Sequence, residues 1–288
     1  MLEVIFLGTS GSIPTPSRGM PALMINYWDK KLLWDCGEGT QRQMMNYKVG
    51  FGSIDAIFVT HPHLDHYLGV FGLLETLNLS FTTHRPLDLV LPSTIVDNIR
   101  DYPFVKITKM KKGVVYKTSG FRIEAFPVQH TRQAHGLLFI EEDRRKFDEK
   151  KAHSLGLQGK MFSEIQKTGR VMVNGKKILL NDVSWVKPGR RIVYTGDSAP
   201  NDAVVEAAKG ADLLIHDGTY SEEHETEAKE TNHSMVTDAA QIAKKAKVKQ
   251  LVLVHISPRY PETGKLLAQA QKIFKNTAIA VDGFRIKL

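Results

Sequence analysis

Cysteine is almost absent. Cys36 is the only one in 288 residues, so no internal disulfide can form, and neither a secreted disulfide scaffold nor a cysteine-rich metal site is available. Any metal must be held by histidine and carboxylate. There is no uninterrupted apolar stretch near the ~20 residues that a membrane-spanning helix needs. The short apolar run Val4 to Leu7 lacks the basic lead and long hydrophobic middle of a signal peptide. The expected compartment is therefore the cytoplasm, with no membrane partner. Low-complexity tracts and short-period repeats are missing too. What is present, 42% hydrophobic and 24% charged residues, is the composition of a globule with a substantial core, built as one large domain or two small ones.

Acidic residues are outnumbered. The net charge is +8 and the pI is near 9.4, a balance that attracts phosphate-rich partners through long-range fields and counterion release. Proteins that never touch nucleic acid are often basic as well, so the charge needs a motif before it names a partner.

Short β-branched runs separated by turn residues read as strands at Val4 to Leu7, Ala22 to Ile25, Lys31 to Asp35, Asp55 to Val59, Leu87 to Leu91 and Phe121 to Val128. Helical patterns fall at Thr40 to Tyr47, Leu68 to Leu77 and Thr94 to Asp101. The second half repeats this grammar. Strands are expected at Arg191 to Thr195, Asp212 to His216 and Gln250 to His255, and helices at Asn201 to Ala208, Met235 to Ala246 and Glu262 to Lys275. The simplest architecture is one α/β body of two similar halves spanning residues 1–288. Between the halves, residues 144–190 show few strong periodicities, many Lys and Arg and five glycines, the mark of a long functional insertion or a solvated surface excursion.

The densest chemistry follows the strand that ends at Val59. In Thr60-His61-Pro62-His63-Leu64-Asp65-His66, four metal-ligand side chains lie within six residues at the carboxyl end of a strand, where α/β folds place their sites. Imidazole nitrogens and carboxylate oxygens suit zinc, and alternating ligands can serve two neighbouring ions.

This H-x-H-x-D-H motif resembles the signature of the metallo-β-lactamase superfamily, and the likeness extends over nearly the whole chain. The resemblance implies an αββα sandwich with an inserted basic arm and two zinc ions. His61, His63 and His130 would hold one ion, Asp65, His66 and His255 the other, and Asp197 would bridge them. Asp35 matches the buried aspartate that steadies the ligand loop. Within the superfamily, Phe6-Leu7-Gly8-Thr9-Ser10-Gly11-Ser12-Ile13-Pro14-Thr15 and Asp35-Cys36-Gly37-Glu38-Gly39-Thr40-Gln41 resemble N-terminal signatures of the ribonuclease Z family, which trims the 3′ trailer from precursor tRNA. Leu214 to Tyr220, Asn232 to Met235 and His255 to Tyr260 resemble its later motifs.

That likeness implies a homodimeric endoribonuclease acting on precursor tRNA through two-metal hydrolysis, with the segment Ala152 to Gly169 gripping the tRNA. Asp65 would act as base, and His233, oriented by Asp217, would give a proton to the leaving oxygen. Arg259 is a weaker candidate for a phosphate contact, equally suited to a structural ion pair. The chain departs from the family pattern at Leu64, where Gly is common, at Asp217 for Glu, at Met235 for Thr, at Arg18-Gly19 for Arg-Asn, and at Gly159-Lys160 for Gly-Pro. None of these is a zinc ligand. The rival expectation is a phosphodiesterase for cyclic nucleotides or nucleotide esters, or an arylsulfatase-like hydrolase of the same fold. His233 also has a plainer reading, a solvated neighbour of a Ser234 helix cap.

Overall fold

A strand that is apolar on both faces must lie between two layers, and this chain uses its apolar runs in that way. In the computed structural model, which describes residues 1–288, the strands are β1 (Leu2–Gly8), β2 (Ala22–Tyr27), β3 (Lys30–Trp34), β4 (Ala56–Phe58), β5 (Leu87–Leu91), β6 (Val105–Lys109), β7 (Gly113–Lys117), β8 (Phe121–Pro127), β9 (His135–Glu141), β10 (Arg144–Phe147), β11 (Arg170–Val173), β12 (Lys176–Leu179), β13 (Ser184–Lys187), β14 (Arg191–Tyr194), β15 (Leu213–Asp217), β16 (Leu251–Val254), β17 (Thr277–Ile279) and β18 (Arg285–Lys287). The helices are α1 (Thr40–Asn46), α2 (Leu64–Ser80), α3 (Glu149–Ser154), α4 (Lys160–Thr168), α5 (Asp202–Ala208), α6 (Glu225–Glu230), α7 (Val236–Ala246) and α8 (Gly264–Ile273).

The chain divides into two compact units, Met1–Ile140 with Arg191–Leu288, and Glu141–Arg190. In the larger unit one seven-stranded sheet runs β18-β1-β2-β3-β4-β5-β6 and the other β17-β16-β15-β14-β9-β8-β7. Val4, Phe6, Ile25, Trp34 and Phe58 from the first sheet share a core with Phe121, Phe139, Tyr194, Ile215 and Val252 from the second. Alternate residues on the same strands, such as Ile5, Leu7 and Ile57, face outward onto α1 and α2 through Met44, Val70, Leu73 and Leu74. On the opposite side Val193, Leu214 and Leu253 pack on α5, α7 and α8. The result is the αββα sandwich that the resemblance implies.

The inner strands β3-β4-β5 and β14-β15-β16 are parallel. Their carboxyl ends therefore share one rim of each sheet. Asp35 follows β3, Thr60 and His61 lie just past β4, Asp197 follows β14, Asp217 ends β15 and His255 follows β16. This topology gathers residues far apart in sequence into one place.

Two expectations need correction, and two strands went unread. Helix α2 starts at Leu64, not Leu68, so Asp65 and His66 ride its first turn instead of a loop. Extended backbone at His63 opens the helix, and the polar ligands had interrupted the apolar period. An acidic residue in that turn also suits the helix dipole. The expected helix Thr94 to Asp101 is a 3₁₀ segment, Ser93–Asn98. Its β-branched Thr94, Ile95 and Val96 and the following Asp97-Asn98 are weak helix formers. Strands β6 and β7 had no clear apolar signal because they are sheet edges carrying Lys106, Lys109 and Lys117, a common protection against edge-to-edge pairing.

The smaller unit has its own core of Ala152, Leu157, Ile165, Val171, Val173, Ile178 and Val183. Strand β10 pairs antiparallel with β13 and β11 with β12, the second pair closed by Asn174 and Gly175 at φ 48° and 76°, a two-residue hairpin turn. Asp148 caps α3 by accepting from Lys151 N at 3.0 Å.

Candidate metal centre

Four of the eight non-glycine residues with positive φ, Ser12, Asp35, Asn232 and His255, touch this rim. Backbone held in that region costs energy and persists where surrounding contacts fix it, most often at functional sites. Asp35 is fully buried and is surrounded by donors. Oδ1 accepts from Thr60 N at 2.8 Å and Thr60 Oγ1 at 3.0 Å, and Oδ2 accepts from Tyr194 Oη at 2.7 Å and meets His66 Nδ1 at 2.8 Å. The loop after Asp35 sits so close to α2 that a Cβ on Gly69 would lie 2.1 Å from the carbonyl oxygen of Gly37.

The structure brings together all seven residues singled out as ligands. His61, His63, His130 and Asp197 form one group and Asp65, His66, Asp197 and His255 another, their ligand atoms within 4.8 Å of one another. Ring orientation is fixed from behind. His66 Nδ1 is engaged by Asp35, His130 Nδ1 by the Asn232 carbonyl at 3.0 Å, His255 Nδ1 by Thr219 Oγ1 at 2.8 Å and His61 Nδ1 by Thr60 Oγ1 at 3.1 Å. Each ring is left with Nε2 facing the centre. Metal-bound histidines are held by such outer hydrogen bonds, which set the tautomer.

The donor set fits metal ions. His61 Nε2, His66 Nε2, His255 Nε2 and Asp197 Oδ1 are buried without a hydrogen-bond partner, and buried polar atoms are seldom left so. His130 Nε2 and His63 Nδ1 face each other at 3.1 Å. Asp197 Oδ1 lies 3.2 Å from His66 Nε2, and Oδ2 lies 3.2 Å from His255 Nε2 and 3.6 Å from His61 Nε2. Ligands about 2.0–2.1 Å from a tetrahedral zinc are separated by roughly 3.3 Å. These clusters support a metal cofactor.

Electrostatics divide these histidines: burial acts to lower His66, but Asp197 and Asp35 outweigh it and hold its imidazole well above the ordinary pKa. Burial, reinforced by the neighbouring His66, holds His61 well below its ordinary pKa, and burial also lowers His63 and His130. All three are thereby neutral and able to ligate. Burial acts to raise Asp197, but the imidazoles of His255, His66 and His61 outweigh it and keep the carboxylate ionised.

His233 is buried, with Nδ1 2.7 Å from Asp217 Oδ2, which excludes the plainer reading of a solvated side chain. Ser234 does not cap α7: its hydroxyl donates to the Ser198 carbonyl at 2.6 Å. The shorter Asp217 side chain reaches His233 while also accepting from Ser198 N at 3.1 Å, Thr219 N at 2.9 Å and Thr219 Oγ1 at 2.7 Å. Both Asp217 oxygens are therefore hydrogen-bonded, and Asp217 and His233 also form a group with Asp197 and His255 whose ligand atoms lie within 4.8 Å of one another. Burial pulls His233 down, but Asp217 more than compensates and lifts it to about 9. Arg259 lies over the Tyr220 ring at 5.0 Å and 3.7 Å from Glu227. The residues that sequence reasoning passed over are Tyr194, Thr219, the Asn232 carbonyl and Ser12. Ser12, Thr219 and Asn232 lie inside quoted motifs and Tyr194 inside an expected strand, but each contact is made across the fold.

A family model described as a β-lactamase superfamily domain matches residues 134–256, and one described as anti-Pycsar protein Apyc1 matches residues 2–103. Ribonuclease Z of Archaeoglobus fulgidus is 40% identical over 98% of this chain and 96% of its own length. The chain belongs to the ribonuclease Z family. Ribonuclease Z of Gemmatimonas aurantiaca is 41% identical, covering 100% of this chain and 96% of the relative. The crystal structure of human tRNase Z, short form, matches with a TM-score of 0.70 at 25% identity over 99% of this chain and 98% of that one. The fold is that of the metallo-β-lactamases.

Proposed function

We infer that this protein is a metal-dependent endoribonuclease that removes the 3′ trailer from precursor tRNA. The observation that carries the reading is full-length identity near 40% to ribonuclease Z relatives in a chain whose His and Asp side chains gather into groups able to hold metal. The small-phosphodiester alternative has no comparable support. The second unit adds a reason: residues 141–190 contain twelve Lys and Arg against seven Asp and Glu, and exposed cations of this kind bind a nucleic-acid backbone by releasing its counterions.

The cofactor in this reading would be two zinc ions: His61, His63 and His130 would hold one and Asp65, His66 and His255 the other, with Asp197 available to both. When bound, such a pair supplies Lewis acidity that lowers the pKa of water and neutralises phosphate charge. Asp65, whose Oδ2 receives the Ser12 N–H at 3.2 Å, orients the attacking water and takes its proton. As the new P–O bond forms, the bond to the 3′ oxygen breaks. That oxygen leaves as a hydroxyl, and His233 donates the proton it needs from Nε2 while Asp217 holds Nδ1. Tyr194 and Thr60 act behind Asp35, fixing His66. The resemblance also supports a homodimer working in the cytoplasm. No helix is long and apolar enough to cross a membrane.

The deciding experiment is cleavage of a precursor tRNA with a 3′ trailer, before and after chelation and zinc restoration, with the cut mapped to the nucleotide. A zinc-restored cut just after the discriminator base is the expected result. Turnover of a small phosphodiester by a zinc-loaded protein that leaves the tRNA intact overturns the reading.

A further inference from the structure

The opening signature, Phe6 to Thr15, contributes no metal ligand, yet its loop is tied to the centre at several points. Gly11 N donates to the Ile256 carbonyl at 3.0 Å, and Ile256 N donates to the Thr9 carbonyl at 3.1 Å, so the loop lies alongside the residue that follows His255. The fit is close: a Cβ on Gly11 would lie 2.7 Å from His255 Nδ1. One residue on, Ser12 is held at φ 61° with its N–H directed at Asp65 Oδ2. The loop thus touches Asp65 and His255, two ligands of the same set. No hydrogen bond joins it to His61, His63 or His130.

What holds the loop comes from the other end of the sequence. Asp282 Oδ1 accepts from Thr9 Oγ1 at 2.7 Å, and its Oδ2 accepts from Gly19 N at 2.6 Å and Gln43 Nε2 at 2.6 Å. One carboxylate therefore grips both feet of the loop, 273 and 263 residues away in sequence. Arg18 Nη1 locks the same point, donating to Thr9 Oγ1 at 2.6 Å and to the Ala280 carbonyl at 2.7 Å. Hydrogen bonds to an ionised carboxylate are stronger than neutral ones, and Asp282 accepts three of them at this anchor.

We propose that Asp282 is a positioning residue that staples the loop of residues 9–19 against Asp65 and His255, so that the loop tunes the affinity of that metal set. The proposal rests on the two-metal reading of the site. Asp282 acts at a distance, through Thr9 and Gly19 to Gly11 and Ser12, and through them on the ligands. Without the staple, Ser12 can leave its left-handed conformation, Asp65 loses a hydrogen bond that orients its carboxylate, and the packing behind His255 loosens. The His61, His63 and His130 set keeps its own supports, Thr60 and the Asn232 carbonyl.

The test compares wild-type protein with Asp282→Asn and the milder Thr9→Val, which removes only the hydroxyl between Asp282 and Arg18. Each is loaded with zinc, and stepwise affinity is read by competition with a chromophoric chelator, with thermal unfolding recorded alongside. The expected result is two ions in all three proteins, one of them about tenfold weaker in Asp282→Asn, the usual scale for losing an outer-sphere support, and the other unchanged. Thr9→Val shifts the same ion by less. Adding His63→Ala to Asp282→Asn removes the remaining tight ion, which assigns the weakened one to the Asp65 set. Unchanged affinities, or equal weakening of both ions, overturn the staple. If Asp282→Asn does not fold, Thr9→Val alone decides by the same criterion. A wild-type protein that binds fewer than two ions overturns the two-metal reading and the staple with it.

Discussion

His233 Nδ1 lies 2.7 Å from Asp217 Oδ2 inside the protein, and the carboxylate keeps the imidazole protonated to about pH 9. In the proposed reaction a ring gripped at Nδ1 presents Nε2–H to the leaving oxygen. Replacing His233 with Ala removes the proton donor and no ligand, so kcat for precursor-tRNA cleavage is expected to fall by roughly 10²–10⁴-fold, the usual scale for general acid catalysis. Zinc content, measured by atomic emission, stays at the wild-type value; loss of zinc would mean that His233 is a ligand.

Asp217→Asn tests the electrostatic part. Asp217 raises the His233 pKa, so the imidazolium form persists below that raised value and is lost as pH climbs through it. Removing the negative charge lowers the His233 pKa. The basic limb of the kcat/KM profile should therefore move to lower pH in Asp217→Asn, whatever the drop in amplitude. A limb that stays in place would show that His233 does not set it.

Asp35→Asn should weaken zinc binding by about 10–100-fold in a chelator competition, since it removes the charge behind His66. An amide NH2 would also meet one of the donors that now converge on the carboxylate from Thr60, Tyr194 and His66, so Tm should fall as well. Normal affinity with a lowered Tm would confine Asp35 to the core.

Much of this cluster was legible in the sequence because four of its seven residues come from one dense motif. His61, His63, Asp65 and His66 sit together, and Asp197 and His255 each follow an apolar strand. The supports were not legible. Tyr194 reaches Asp35 from the opposite sheet, Thr219 joins Asp217 to His255, and Asp282 meets Thr9 only because the last strands return beside the first. None of these pairings leaves a local trace in composition or period. In the smaller unit, Asn174-Gly175 was a readable hairpin signal. Its core was less readable, since Val171, Val173 and Ile178 alternate with Arg, Met and Lys over strands of only four residues.

Metal removal should destabilise the protein as well as inactivate it. The nitrogens of His61, His66 and His255 that face the centre make no hydrogen bond, and an ion bound only by the folded state adds about 2.7 kcal/mol when its free concentration is 100 times Kd. Exhaustive chelation should lower Tm by several degrees in differential scanning calorimetry, and zinc should restore it. A Tm insensitive to zinc would mean that the cluster does not bind the ion tightly.

The basic surface of the smaller unit gives the last prediction. Lys150, Lys151, Lys176 and Lys177 are exposed and lie outside the core of Ala152, Leu157, Ile165, Val171, Val173, Ile178 and Val183, so their replacement by Glu should leave the unit folded. Each cation that neutralises an RNA phosphate steepens the salt dependence of binding by about one unit of log slope. Reversing all four should raise KM for precursor tRNA at moderate salt, flatten its salt dependence, and leave kcat for a small chromogenic phosphodiester unchanged, because that substrate needs only the metal centre. Equal loss on both substrates would show that the substitutions act on the centre. An unchanged KM for precursor tRNA would place the RNA on another surface of the protein.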